Sequence, residues 1–162
     1  MFISARPVTA DDVAEFVEWR YPPPYDDYAI TRPLSEVLDY FLGSGTRCHA
    51  ILSAAGLAGY CTFGDDARVP GGDYGVPALD IGAALKPELV GQGHGRAFVA
   101  AIIDCAIAAF DPPVLRVSIS GANARAMKVW SSNGFTETQR FEAEFGVLGT
   151  NEFVIFERSL RS

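Results

Sequence analysis

Short apolar runs and helically spaced apolar residues alternate along this 162-residue chain, and they predict its elements in turn. Residues 2–6 read as a strand. Thr9, Asp11 and Asp12 supply an N-cap and acids for a first turn, and Val13, Phe16 and Val17 follow at helical spacing. Tyr21-Pro-Pro-Pro-Tyr25 ends that helix, because three prolines remove donors and fix φ. A second helix is expected from about Pro33 to Leu42, with Leu34, Val37, Leu38 and Phe41 on one face and Gly43 as its stop. Cys48–Ser53 and Leu57–Gly64 flank Ala54-Ala55-Gly56 and read as a β-hairpin. Residues 65–77, with three Gly, two Pro and three Asp, read as a loop, and Ala78–Leu85 as the next strand.

A long helix is expected from Gly95 to Phe110, with Phe98, Ala101, Ile102, Cys105 and Ala109 on its apolar face. Pro112-Pro113 ends it and Val114–Ile119 reads as a buried strand. Asn123 to Asn133 is a further helix, closed by Gly134. Two strands, 135–145 and 151–160, are joined by residues 146–150. The order βααβββαβαββ, with one strand–helix–strand unit in its middle, implies an α/β fold with a mixed sheet. Neither a repeat nor a linker divides the chain, so residues 1–162 are expected to form one domain.

Composition narrows the function. Hydrophobic residues make up 49% and charged residues 20%, enough apolar surface for one core. Thirteen Lys and Arg against twenty Asp and Glu give a net charge of −7, and the two lysines are Lys86 and Lys128. Duplex binding needs a basic stripe, so no nucleic-acid partner is expected. An acidic surface suits a cationic ligand as well as it suits solubility. The N-terminus has no basic leader with a long apolar stretch, and residues 97–110 are too short and too interrupted by Asp104 to span a bilayer. A cytoplasmic protein with no membrane partner is the expectation. Cys48, Cys61 and Cys105 are widely spaced and odd in number, and His49 and His94 are the two histidines. Neither a disulfide framework nor a metal site follows.

The chemistry concentrates in Leu85-Lys-Pro-Glu-Leu-Val90-Gly91-Gln92-Gly93-His94-Gly95-Arg96, which leaves a strand and opens the long helix. Glycines let the backbone turn tightly and gather N–H groups, and the helix start adds unpaired donors and the positive end of its dipole. Together they suit a pyrophosphate. A nucleoside-triphosphate loop would need Gly-Lys, which this chain lacks. A dinucleotide fingerprint would need a third glycine where Arg96 stands.

That segment resembles the acyl-CoA loop of the GNAT family of N-acetyltransferases, Gln/Arg-x-x-Gly-x-Gly/Ala. Gly93 and Gly95 match, and Val90 stands where Gln or Arg is usual. A second block, Asn123-Ala-Arg-Ala126-Met-Lys128-Val-Trp130-Ser-Ser-Asn-Gly134-Phe135, resembles the family's Asn-x-x-Ala-x-x-x-Tyr-x-x-x-Gly-Phe. Asp80-Ile-Gly82 is similar to the branch that includes ribosomal-protein N-terminal acetyltransferases.

The resemblance implies a mostly antiparallel mixed sheet, flanked by helices and splayed between its fourth and fifth strands. It implies direct transfer of an acetyl group from acetyl-CoA to a primary amine, on a small molecule or a protein N-terminus, without a metal. Pantetheine would lie in the splay like an added strand, with the Ala83 N–H facing the thioester oxygen and Leu85 alongside. Val90, Gly91, Gln92, Gly93, His94, Gly95 and Arg96 would hold the pyrophosphate, with Asn123, Lys128 and Trp130 also toward the cofactor. Asp80 is the candidate base, alternatively an ion-pair partner for Arg116. An aliphatic amine with pKa about 10.4 costs roughly 4–5 kcal/mol to deprotonate at neutral pH, an α-amine near 7.7–8.0 only about 1 kcal/mol. Trp130 fills the slot of the family's acidic tyrosine, and indole is a donor without useful acidity. The acid would then be Tyr25, Tyr28 or Tyr74, or the thiolate would leave unprotonated. Trp19, Tyr21, Tyr25 and Tyr28 would cage the amine by cation–π contact, or pin the proline loop to the core. A non-catalytic acyl-CoA binding or sensing module is the alternative function. The amine's identity and a homodimer stay open.

Overall fold

The computed structural model describes residues 2–161. Among them, seven strands form one sheet in the order β1-β2-β3-β4-β5-β7-β6. The strands are β1 Phe2–Pro7, β2 His49–Ser53, β3 Gly56–Phe63, β4 Leu79–Leu85, β5 Val114–Ser120, β6 Thr136–Val147 and β7 Thr150–Ser159. The helices are α1 Ala10–Phe16, α2 Leu34–Leu42, α3 Gly95–Phe110 and α4 Ala124–Ser131. This is the order that the hydrophobic pattern predicts. Every strand pair is antiparallel except β4 with β5. That pair is joined through α3, because parallel neighbours need a crossover.

Strand alternation sorts the core onto two faces. On one, Phe98, Ile102, Ile103 and Ala106 of α3 pack over Cys61, Phe63, Ile81, Leu115 and Val117. On the other, Val13, Phe16 and Trp19 from α1 and its exit, with Val37 of α2, pack over Ala50, Leu57 and Tyr60. The buried face of α3 is rotated from the expected one. Val99 and Ile103 are buried, while Ala101 and Cys105 are half-buried and Ala109 is exposed. Branched side chains bury more apolar area than alanines, so the helix turns to seat them.

Two predicted loops are more ordered than the sequence suggests. Tyr25–Tyr28 and Asp65–Ala67 each form a 3₁₀ turn. The β6–β7 connection shrinks from five residues to Leu148-Gly149, with φ of 54° and 76°. Two successive left-handed residues make the tight hairpin turn that matches strand twist, so β6 continues to Val147.

The start of α1 shows a capping box that the sequence half reveals. The Asp12 N–H donates to Thr9 Oγ1 at 3.3 Å, and the Thr9 N–H donates to Asp12 Oδ2 at 2.9 Å. Arg6 of β1 donates Nη2 to Asp12 Oδ1 at 3.1 Å. Burial pushes the Asp12 carboxyl up, but the bonds from Arg6 and Thr9 outweigh it and hold the group below the ordinary carboxylate range. The folded value therefore lies below the unfolded one. The stability this contributes is present at neutral pH and is lost as pH falls through the folded value. Asp12→Ala is expected to cost about 1–2 kcal/mol in urea unfolding at pH 7, and the difference from the parent should shrink toward pH 3. A deficit that is constant with pH would contradict this account.

Candidate active site

The site is built on β4. Its first half pairs with β5 through Leu79↔Leu115, Asp80↔Arg116 and Ile81↔Val117, and the pairing stops there. Its other edge stays paired with β3 as far as Gly59↔Leu85. The Gly64 N–H donates to Asp80 O and the Lys86 N–H to Ala58 O, so even-numbered residues of β4 direct their backbone groups to β3. By the alternation of an antiparallel ladder, Ala83 and Leu85 direct theirs to the opposite edge, which β5 has left. Hence Ala83 is exposed in the middle of a central strand. The gap accepts partners: the Tyr21 hydroxyl donates to Leu85 O at 2.8 Å. Burial pushes the Tyr21 phenol up to about 12, so it remains a donor at neutral pH.

From the gap the chain passes through a 3₁₀ turn, Pro87–Leu89, into the glycine loop. Gly91 and Gly93 have φ of 74° and 85°, a region that side chains disfavour. Gly95 opens α3, and a Cβ there would stand 3.0 Å from Val129 Cγ2 of α4. Val90 and Gln92 direct their N–H groups to Pro87 O and Leu89 O. They shape the loop, and this corrects the expectation that they donate from the backbone to a ligand. The donors that suit an anion are those of a helix start, at Gly95 and Arg96, with Gly93 in the adjoining loop, at the positive end of a sixteen-residue helix.

The start of α4 borders this loop. The Asn123 Oδ1 caps the helix by accepting the Ala126 N–H at 3.1 Å, and its Nδ2 donates to the Tyr28 hydroxyl at 3.1 Å. Both ends of that side chain are engaged within the protein, which is what a cap does. Burial pushes the Tyr28 phenol up. Tyr25 stacks on Tyr28 with ring centroids 6.3 Å apart, and the Arg125 guanidinium lies 5.1 Å over the Tyr25 ring. Arg125 also stands 3.7 Å from where a Cβ on Gly91 would lie. It is thus a cation between the loop and the aromatic pair, a place that its position in the sequence does not show. Lys128 is exposed one turn further along the same side of α4. Trp130 is buried 5.0 Å edge-on to Phe135, inside the main core. Trp19 is buried between Phe16 and Tyr60. Both tryptophans are core residues, so the expectations of a cofactor contact and of a substrate cage give way to packing. Tyr74 is held by Ser118 Oγ at 2.7 Å and by the Val69 N–H at 2.9 Å.

Asp80 and Arg116 face each other across the last paired rungs of β4 and β5, and both are buried. Arg116 Nε and Nη2 donate to Asp80 Oδ1 and Oδ2 at 2.6 and 2.9 Å, and Arg116 Nη1 donates to Val76 O at 2.8 Å. Arg68 Nε adds a third bond to Asp80 at 2.8 Å, and the Arg116 guanidinium lies 4.9 Å over the Tyr74 ring. Both Asp80 oxygens are occupied by arginine donors. The geometry favours Asp80 as the ion-pair partner, not the base. The pair ties the two strands together just before they part, and so fixes where the gap begins.

Beside Gly82 and Ala83, on the α1–α2 face, lies a cavity of about 220 Å³ that the sequence did not reveal. Tyr40, Phe41, Tyr60, Thr62, Asp66 and Ala67 complete its wall. The Tyr40 hydroxyl donates to Asp66 Oδ2 at 3.2 Å. Burial raises the Asp66 carboxyl above its ordinary range, against the lowering effect of hydrogen bonds from Tyr40 and Thr62. The two acids after β3 were the available signal, but a loop of mixed Gly, Pro and Asp does not show which acid turns inward.

The family model described as "Acetyltransferase (GNAT) domain" matches residues 3–136. No curated protein matches the chain. Among solved structures, a chimera of the Vibrio cholerae spermidine N-acetyltransferase is similar at 14% identity, covering 96% of this chain and 94% of that one, with a TM-score of 0.77. The aminoglycoside acetyltransferase AAC(6')-Ib in complex with coenzyme A is similar at 18% identity, covering 97% and 94%, with a TM-score of 0.73. The same enzyme with ribostamycin and coenzyme A gives 17%, 97% and 93%, and 0.72. These likenesses are of fold. Nothing among them supports the ribosomal-protein branch suggested by Asp80-Ile-Gly82, and the buried ion pair accounts for Asp80 without it.

Proposed function

The chain belongs to the GNAT acetyltransferase family, and from that premise we propose that it moves an acetyl group from acetyl-CoA to a primary amine by direct attack on the thioester. The observation that carries this reading is the gap. β4 and β5 part after Ile81↔Val117, and the strand that borders the opening runs on into the glycine loop of α3. A flat, amide-bearing arm fits an edge that presents the backbone groups of Ala83 and Leu85. A pyrophosphate fits the donors at the start of α3. Acetyl-CoA bound there supplies an activated acyl group.

The chain's own residues then have definable tasks. The Ala83 N–H is aimed into the gap, where it would stabilise negative charge developing on the acyl oxygen. Gly93, Gly95 and Arg96 would hold the diphosphate through backbone N–H groups, with Arg125 and Lys128 adding positive charge on one side of α4. The Tyr21 hydroxyl holds Leu85 O and sets the end of the edge. Tyr25, whose ring is fixed between Tyr28 and Arg125, is the phenol assigned to protonate the leaving thiolate, and the proton that the attacking nitrogen loses as the amide forms restores the phenol. The family neighbours named for spermidine and aminoglycosides favour a small-molecule amine over a protein N-terminus as acceptor.

Thiol release from acetyl-CoA with a panel of amines tests this, together with calorimetry of CoA. The expected result is heat on CoA addition and amine-dependent thiol release. Tight CoA binding with no turnover on any amine would replace the reading with a non-catalytic acyl-CoA module.

A further inference from the structure

We infer that Cys105 and Cys61 form a reversible thiol–disulfide pair, in which Cys105 takes an oxygen atom from a small peroxide and Cys61 closes the bond. This chemistry is independent of the acetyltransferase reading. The two cysteines lie on α3 and β3, and the fold brings them together. A Cβ on Gly59 would strike the Phe98 ring of α3, so by strand alternation Gly59, Cys61 and Phe63 face that helix. On α3, Cys105 stands one turn beyond Ala101 and Ile102 and packs against the same core. There the Cys61 thiol donates a hydrogen bond to the Cys105 sulfur.

Their surroundings divide the work. Cys61 is fully buried. Cys105 is half-buried and lines a groove of about 440 Å³ between β1 and α3, with Ala5, His49, Ala101, Asp104 and Ala108. Small side chains make up most of that wall, so a small oxidant reaches the sulfur. The bond from Cys61 holds the Cys105 thiol below its ordinary range, against the effect of burial, and raises Cys61 well above it. The thiolate is the nucleophile, and it forms at the sulfur that meets the groove. The Cys105 thiolate attacks one peroxide oxygen: an S–O bond forms, the O–O bond breaks, and the other oxygen leaves as hydroxide and takes up a proton. The Cys61 sulfur then attacks the Cys105 sulfur: an S–S bond forms, the S–O bond breaks, and the departing oxygen carries off the Cys61 proton. Two thiols are oxidised by two electrons and one hydrogen peroxide is reduced to two waters.

The test is mass spectrometry of the full, reduced chain before and after a slight excess of hydrogen peroxide, with the remaining thiols alkylated and mapped. The expected product has lost two hydrogen atoms, joins Cys61 to Cys105, leaves Cys48 free, and returns to the dithiol with dithiothreitol. Cys48 is the internal reference, because burial pushes its thiol up to about 12. Without peroxide, iodoacetamide should alkylate Cys105 in the folded chain at least about tenfold faster than Cys48. Cys105→Ala should leave Cys61 a free thiol under the same peroxide, because Cys61 is oxidised only through its neighbour. Cys61→Ala should stop at a sulfenic acid on Cys105 that dimedone traps. If Cys61→Ala fails to fold, the parent chain and Cys105→Ala still decide the matter. Alkylation of Cys105 no faster than Cys48, a peroxide-treated chain that keeps all its thiols, a disulfide through Cys48, or oxidation of Cys61 in Cys105→Ala would each overturn the inference.

Discussion

Arg116→Ala is expected to remove about 3–5 kcal/mol of folding stability, measured by urea unfolding. The guanidinium is fully buried and makes two bonds to Asp80, one to Val76 O and a stacking contact with Tyr74. Truncation leaves a buried carboxylate with one remaining cation, Arg68, whose side chain is 37% exposed. A half-exposed partner screens poorly for a fully buried acid, so the cost should approach that of an uncompensated charge. The pair itself is not what makes the fold stable. Replacing Arg116 with Met and Asp80 with Leu together should recover most of the loss, because two desolvated charges cost about what their attraction returns. The double variant should nonetheless turn over more slowly than the parent, since the clamp that ends the β4–β5 pairing is gone. A single Arg116→Ala variant within about 1 kcal/mol of the parent would show that the strands are held by the ladder alone.

The fold was legible because each element is locally consistent with its place. Thr9 before a helix, Gly43 and Gly134 after helices, and the Pro112-Pro113 stop all act within a few residues, so periodicity and caps suffice to order eleven elements. The glycine loop was legible for the same reason, since its chemistry is that of backbone turning into a helix. Side-chain roles were not. Whether Trp130 faces a ligand or Phe135, and whether Trp19 cages an amine or packs on Tyr60, depends on which face of an element meets the core, and neighbouring strands decide that. Asp80 reads either as a base or as a partner for Arg116, because partners 12 and 36 positions away are brought to it only by the fold. Arg125 and Asp66 were passed over because each becomes meaningful only through a distant neighbour, Gly91 and the cavity beside Gly82 respectively.

Ala83→Pro is expected to lower kcat by about a hundred- to a thousandfold, the loss seen when one oxyanion donor is removed, while CoA affinity stays within a few-fold. The substitution deletes the N–H and sets the ring Cδ in its place at the edge that faces the gap. Proline is tolerated in a sheet where its missing donor faces away from the ladder, and the pairing with β3 runs through the even-numbered residues of β4. The preceding Gly82 sits in the extended conformation that a following proline requires. The neighbouring variant Ala84→Pro serves as the contrast. Its N–H belongs to the β3 ladder, so it should destabilise the protein by about 3 kcal/mol and lose activity through unfolding. An Ala83→Pro variant that melts like the parent, binds CoA and keeps kcat within about threefold would mean that charge on the acyl oxygen is stabilised elsewhere. If Ala83→Pro unfolds as readily as Ala84→Pro, the edge facing the gap is not open, and the strand carries a partner there that the pairing of β4 with β5 does not show.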